Sequence, residues 1–300
     1  MYKMVDFAEF QEDLRAELIA EMPEGYLLKE DEVVKNGIVK HGISLVHGTD
    51  AAPIMYYEDL YEWYVEQKDA EAAIRDIVVN ILIISIPPEP AISQTATDSI
   101  VQMMQDKKYV LQNVRYRFSA AGSETMYGDC VMKMWLDIPV LFYVKIKTEG
   151  FEGYIRMTKS MFSKLGLSFE IIDAAAARNS QDLNAYICPL SDKTGTLDAL
   201  MNESTFMLFY GNEANYGAAD IIASNQIKLF ARGLGSNFYL IPSSVHEWLV
   251  LPEYHDIDVA SLNAMVRDVN NEDVKPEERL SDHVYFLNCR TGEISIPPED

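Results

Sequence analysis

Segments patterned for strands and segments patterned for helices follow one another in no regular order along this 300-residue chain. A doubly wound parallel sheet needs strict alternation, so the pattern predicts an α+β fold with mixed, mainly antiparallel sheets and packed helices. With 48% hydrophobic residues the chain can bury a substantial core. The order of strands followed by helix recurs loosely in two halves, without a residue-level repeat. Residues 1–90 are expected to hold an N-terminal helix, a hairpin and an aromatic helix. Residues 91–300 form the main α+β domain, either separate from the first or continuous with it.

Val5, Phe7, Phe10, Leu14, Leu18 and Met22 recur near helical spacing with acids between them, which predicts an amphipathic helix ended by Pro23 and Gly25. Asn36-Gly37 between two β-branched runs predicts a hairpin. Tyr57, Tyr61 and Tyr64, with Tyr56 and Trp63 alongside, form an aromatic stripe expected to pack in a core. The PPEP at 87–90 reads as a loop or boundary. After a short helix near 95–106, the runs 109–118, 136–146 and 153–158 read as neighbouring strands. A helix broken at Gly166 follows over 161–179, where Ala174 to Ala177 permit close backbone approach. FMLFYGN, FYLIP and EWLVLP read as strands, with a helix between the first two stopped by Gly233 or Gly235. A helix over VASLNAMVRDVNN, a charged surface loop at 272–282 and a closing hairpin turned at Arg290 to Gly292 complete the chain.

The balance of 25 basic against 47 acidic residues gives a net charge of -22, which repels phosphate backbones and anionic lipid surfaces. Direct binding to nucleic acid or membrane is not expected, whereas a basic protein partner is favoured. The three cysteines, Cys130, Cys188 and Cys289, are never spaced CxxC and suggest neither a disulfide framework nor a zinc site. A reducing, cytoplasmic compartment fits them. The N-terminus lacks a signal-type apolar core, and IVVNILIISI at 77–86 is too short to span a bilayer and carries Asn80. It is expected to be a buried helix end or strand. No cofactor or metal is predicted.

Reactive side chains crowd one short run, FYLIPSSVHEWLVLPE at 238–253, where Ser243, Ser244, His246 and Glu247 interrupt apolar strand patterns. In an extended strand Ser244 and His246 share one face and Ser243 and Glu247 the other, so the four form no ready triad. No GxSxG elbow or HExxH pair is present. Without an outside partner, Ser243 or Ser244 caps a turn and His246 bonds a strand end. Asp282 beside His283 is a second candidate, although neighbours in a strand face opposite ways. YGNEANYGAADII offers a glycine-flanked loop entering a helix, and Arg178 with Asn179 ends the middle helix.

Taken together, LDIPVLFYVKI, DAAAARNSQDL, FMLFYGNEANYGAADII, GLGSNFYLIPSSVHEWLVLPE, LSDHVYFLN and the N-terminal PIMYYEDLYEWYVEQ resemble a bacterial family common in gut Gram-positive bacteria and described as a domain of unknown function. Asp137, Asn179, Gly217, Ala218, Pro242, Ser243, Ser244, His246 and Glu247 fill places that match its pattern. The chain departs from it at Ile138-Pro139, Ser180 and Gly211-Asn212. The resemblance implies an intact domain over nearly the whole chain; it implies no activity, cofactor or partner.

Three functional expectations result. The first is a non-enzymatic interaction module that uses an acidic surface or an apolar groove. The second is a hydrolase-like or small-molecule-binding enzyme around Ser244 and His246, with Asp282 or Asn179 contributed in space. The third is an inhibitor that mimics nucleic acid, which requires acids in rows at phosphate-like spacing.

Overall fold

Amphipathic segments of both periods dictate the architecture, which is seen in a computed structural model describing residues 5–48, 52–86, 94–148, 151–181, 185–189, 208–211, 216–253 and 258–299. It is an α+β protein whose paired strands run antiparallel. The chain divides into two compact units, Met1–Met103 with Lys147–Glu152, and Met104–Ile146 with Gly153–Asp300.

The first unit begins with helix α1, Phe7–Glu21, whose start is fixed by the Asp6 side chain accepting from Glu9 N at 3.0 Å. Strands β1 (Tyr26–Lys35) and β2 (Ile38–His47) pair in register from Tyr26↔His47 to Lys35↔Ile38. Asn36 and Gly37 make the two-residue turn with φ 47° and 80°. Both angles are positive, as a type I′ turn requires. A short β3 (Met55–Tyr56) leads into α2 (Tyr57–Val65), followed by α3 (Ala70–Ser85). One face of the β1–β2 sheet and the three helices enclose a core of Phe10, Leu14, Leu18, Ile43, Leu45, Tyr57, Tyr64 and Ile77. The aromatic stripe is therefore core packing, while Trp63 at its margin is exposed. In the 77–86 run Ile77, Val78 and Ile81 are buried in α3, and Val79, Ile83 and Ile84 face outward. Residues 87–90, read as a loop or boundary, lie outside the described residues.

Helix α4 (Gln94–Gln105) contains the boundary between the units. The expected strand over 109–118 is a strand only in its second half. Asp106 caps a short helix α5 (Lys107–Asn113) by accepting from Lys108 N at 2.8 Å, and β4 starts at Val114 and ends at Phe118. Beside it lie β5 (Met132–Trp135), the long β6 (Ile138–Thr148) and β7 (Phe151–Arg156). β6 pairs with all three. Helices α6 (Lys159–Leu165) and α7 (Phe169–Gln181) are separated at Gly166, φ 56°. Ala175 and Ala176 are buried on α7, which is fastened to the sheet by Asp173, bound to Lys133 Nζ at 2.6 Å and to the Tyr116 hydroxyl at 2.7 Å.

The remaining strands are β8 (Tyr186–Pro189), β9 (Leu208–Gly211), β10 (Phe238–Pro242), β11 (Glu247–Pro252), β12 (Tyr285–Leu287) and β13 (Ile294–Ser295). They form a six-stranded sheet in the order β13-β12-β10-β11-β9-β8. A 3₁₀ turn, Gly217–Ile222, and α8 (Gln226–Leu234) connect β9 to β10, with Gly235 at φ 66° stopping the helix. Helix α9 (Val259–Glu272) places Leu262 and Val266 over Tyr239, Ile241 and Leu251 on one sheet face. Phe118, Trp135, Trp248 and Tyr285 make a chain of rings 5.3–6.1 Å apart that joins the two sheets of this unit. Among the described residues no helix is long and apolar enough to cross a membrane.

Candidate functional site

The serine–histidine run is the connection between two buried strands. Residues 243–246 turn the chain from β10 into β11, so strand parity does not govern them. Ser244 organises the turn: its Oγ accepts from His246 N at 3.0 Å and donates to Glu247 Oε1 at 3.1 Å. Ser243 Oγ lies 3.5 Å from the same oxygen. Extended geometry put Glu247 on the opposite face from Ser244; the turn brings them together. His246 is directed elsewhere. Its Nδ1 accepts the Tyr216 backbone N–H at 2.9 Å, which leaves Nε2 to carry the proton of the neutral ring, 3.9 Å from Glu278 Oε1. A base serving a serine needs a free lone pair about 2.6–3.2 Å from the hydroxyl. Here that lone pair is taken by the backbone.

Asp282 and Asn179 have separate engagements. Asn270 Nδ2 donates to Asp282 Oδ1 at 2.8 Å, and Asn179 Nδ2 donates to the Leu111 and Val114 carbonyls at 3.1 and 2.8 Å. Arg178 also donates to the Leu111 carbonyl, at 3.1 Å. The pair that ends α7 thus anchors the α5–β4 junction. Asn212 and Asn215 of the glycine-flanked loop lie outside the described residues.

His283 has the carboxylate partner that His246 lacks. Its Nε2 is 2.8 Å from Asp137 Oδ2, and its Nδ1 is 3.1 Å from the Val284 carbonyl. Both ring nitrogens face acceptors, an arrangement that only an imidazolium satisfies fully. The hydrogen bond that His283 donates to Asp137 is the main reason the His283 pKa is raised, against the opposing effect of burial. Burial pushes the Asp137 carboxyl upward, but hydrogen bonds from His283 and from the Tyr285 hydroxyl, 2.8 Å away, outweigh it and hold it below the usual carboxylate value. Because the second nitrogen is spent on a carbonyl, this dyad has no nucleophile to activate. It ties the two-residue β5–β6 turn, where Leu136 has φ 54°, to the start of β12.

Arg117 on β4 lies among tyrosines. Its guanidinium carbon is 3.9 Å from the ring centres of Tyr154 and Tyr216 and 4.7 Å from that of Tyr143. The Tyr216 ring in turn rests 5.1 Å from the His246 ring. Tyr216 is left-handed, φ 67°, and its N–H is the one held by His246. His246 therefore positions Tyr216 against Arg117. Each cation–π contact contributes about 0.5–2 kcal/mol, while taking an ion out of water costs several. The rings surround the guanidinium, the Tyr154 hydroxyl accepts a hydrogen bond from it, and no carboxylate pairs with it among the described residues.

In the first unit, α1 and α3 flank a groove of about 430 Å³. Val5, Ala16, Tyr64, Ala70 and Ile74 supply apolar walls; Asp13, Glu17 and Glu71 supply an acidic margin. Arg75 pairs with Glu71 at 3.3 Å on an exposed helix face, a contact worth only about 0.3–0.5 kcal/mol. Along α1, Glu9, Asp13, Glu17 and Glu21 recur every fourth residue, about 6 Å apart. The unit holds 8 Lys and Arg against 22 Asp and Glu, net -14, whereas the second holds 17 against 25, net -8.

The model of a family described as "Family of unknown function (DUF5688)" matches residues 7–288. The chain belongs to that family. No curated protein and no solved structure matches it.

The match runs through both units of this DUF5688 chain, so the serine turn, the Arg117 site, the His283–Asp137 pair and the groove apart from Val5 all fall within the family's extent. Among the described residues no group of three or more His, Cys, Asp or Glu side chains is placed to hold a metal ion. Cys130, Cys188 and Cys289 are not joined in disulfides. Sequence reasoning passed over Arg117, Glu278 and the pairing of His283 with Asp137. A signal for Arg117 exists in VRYRF, where period-two alternation sets Arg115 and Arg117 on one face and Tyr116 and Phe118 on the other. No local signal links Asp137 to His283, which are 146 residues apart.

Proposed function

We propose that this chain is a non-enzymatic interaction module that recognises a basic, amphipathic segment of a partner protein in the α1–α3 groove. The observation that carries the reading is the groove itself, apolar inside and acid-rimmed, on the unit with most of the net charge. An apolar residue of the partner enters between Tyr64 and Ile74, and its lysines or arginines meet Asp13, Glu17 and Glu71. The serine turn supports a non-enzymatic role, because Ser243, Ser244 and His246 are each committed to organising backbone or to Glu247. Three cysteines without a disulfide agree with a reducing, cytoplasmic setting. A nucleic-acid mimic has weaker support: the α1 row carries one charge per roughly 6 Å, against one per about 1.7 Å of duplex axis.

The test is fluorescence anisotropy with a labelled synthetic helical peptide bearing leucines on one face and lysines and arginines on the other. Binding should weaken by about tenfold or more from low to physiological salt, as the screening length falls from about 30 Å to about 8 Å. The triple reversal Asp13→Lys, Glu17→Lys, Glu71→Lys should abolish it. Equal affinity for an acidic peptide of the same pattern, or no effect of the reversal, would overturn the proposal.

A further inference from the structure

We infer that Arg117 anchors a second binding site, in the other unit, that takes an oxyanion: the phosphate or carboxylate group of a small molecule, held in the plane of the guanidinium. Tyr154 and Tyr216 stack 3.9 Å from its central carbon and Tyr143 lies at 4.7 Å. These ring contacts hold the guanidinium in place. The Tyr154 hydroxyl accepts a hydrogen bond from the guanidinium; its other N–H groups remain for a ligand, and their planar geometry matches a carboxylate or phosphate. No Asp or Glu among the described residues lies within ion-pair distance of Arg117, so no described carboxylate competes with a ligand for it. Burial lowers the arginine's pKa, as expected for a cation withdrawn from water without a carboxylate partner.

The charge of the surrounding chain points the same way. In an acidic protein, residues 104–165, which carry the four-stranded sheet and α6, hold ten Lys and Arg against six Asp and Glu. Arg156 acts on the hydroxyl of the same Tyr143 that Arg117 approaches. A locally positive sheet with an oriented guanidinium is suited to a small anion, whereas the -14 unit would repel one.

Titration of the full chain with inorganic phosphate and, separately, acetate, followed by NMR at constant ionic strength, tests this. At least one anion should bind saturably, and the preferred one tells phosphate esters from carboxylates. Arg117→Lys retains charge but loses the fork and should weaken binding about tenfold or more. Tyr154→Phe keeps the ring beside the guanidinium but removes the hydroxyl that accepts from it, and should weaken binding less than Arg117→Lys. Arg232→Gln, at an exposed position, should bind as wild type. The groove reversal should leave anion binding unaltered and Arg117→Lys should leave peptide binding unaltered, so the two proposals fail separately. Absence of saturable binding to either anion, or wild-type affinity in a folded Arg117→Lys chain, would overturn the inference.

Discussion

His283 and Asp137 form a clasp whose strength depends on pH from both sides. The histidine's folded pKa is raised, so its contribution is complete below the usual value of about 6.5 and is lost as pH rises through the higher folded value. The aspartate's folded pKa is lowered, so its contribution is complete above about 4 and is lost as pH falls through the lower folded value. The clasp is therefore fully effective between those two usual values. Urea denaturation should show stability falling from pH 6 to pH 9 in the wild type and a shallower fall in His283→Asn. Identical slopes would mean that the pair does not link protonation to folding. Candidate residues were legible here as types and not as partners. Ser243, Ser244, His246 and Glu247 stand out in sequence, yet which atoms they touch depends on a turn that strand parity could not describe. His283 is inconspicuous beside Asp282, because its carboxylate arrives from the β5–β6 turn.

At the scale of elements, the β1–β2 hairpin shows how a local signal suffices when the chemistry is local. Asn36 and Gly37 adopt positive φ, and ten registered pairs follow from that turn. Gly37→Ala forces a side chain into φ 80° and should cost about 1–2 kcal/mol, whereas Asn36→Gly should change stability by only a few tenths. Urea midpoints of the two variants check this; equal losses would contradict the turn assignment. The same locality made α1, the break at Gly166 and the stop at Gly235 readable. It failed over 109–118, where an apolar-rich run with period-two character begins as helix α5. The deciding group was Asp106, one residue before that helix, whose cap favours helix over Lys107–Asn113. In the six-stranded sheet the closing β12–β13 hairpin was legible, but the order of the other strands was not, since β10 pairs with β12 across β11, a helix and a long connection.

For the whole molecule the governing quantity is charge, and it is unevenly spread. The first unit carries net -14 on 109 residues and the second net -8 on 191. Self-repulsion at low salt therefore falls hardest on the first unit, where Glu9, Asp13, Glu17 and Glu21 line one helix. Like charges at this spacing destabilise a helix by about 0.2–0.5 kcal/mol per pair, and salt screens them. Thermal unfolding followed by tryptophan fluorescence samples both units, because Trp63 belongs to the first and Trp135 and Trp248 to the second. Raising salt from about 10 mM to about 150 mM should raise the melting temperature, as the screening length contracts from about 30 Å to about 8 Å. Glu9→Gln with Glu21→Gln, which spares the groove-lining Asp13 and Glu17, should recover part of that gain at low salt and reduce its salt dependence. If the double variant instead melts lower at every salt concentration, the row serves the fold and not a partner. If it melts higher while losing peptide affinity, the acids on α1 are retained at a cost in stability because recognition of a basic segment requires them.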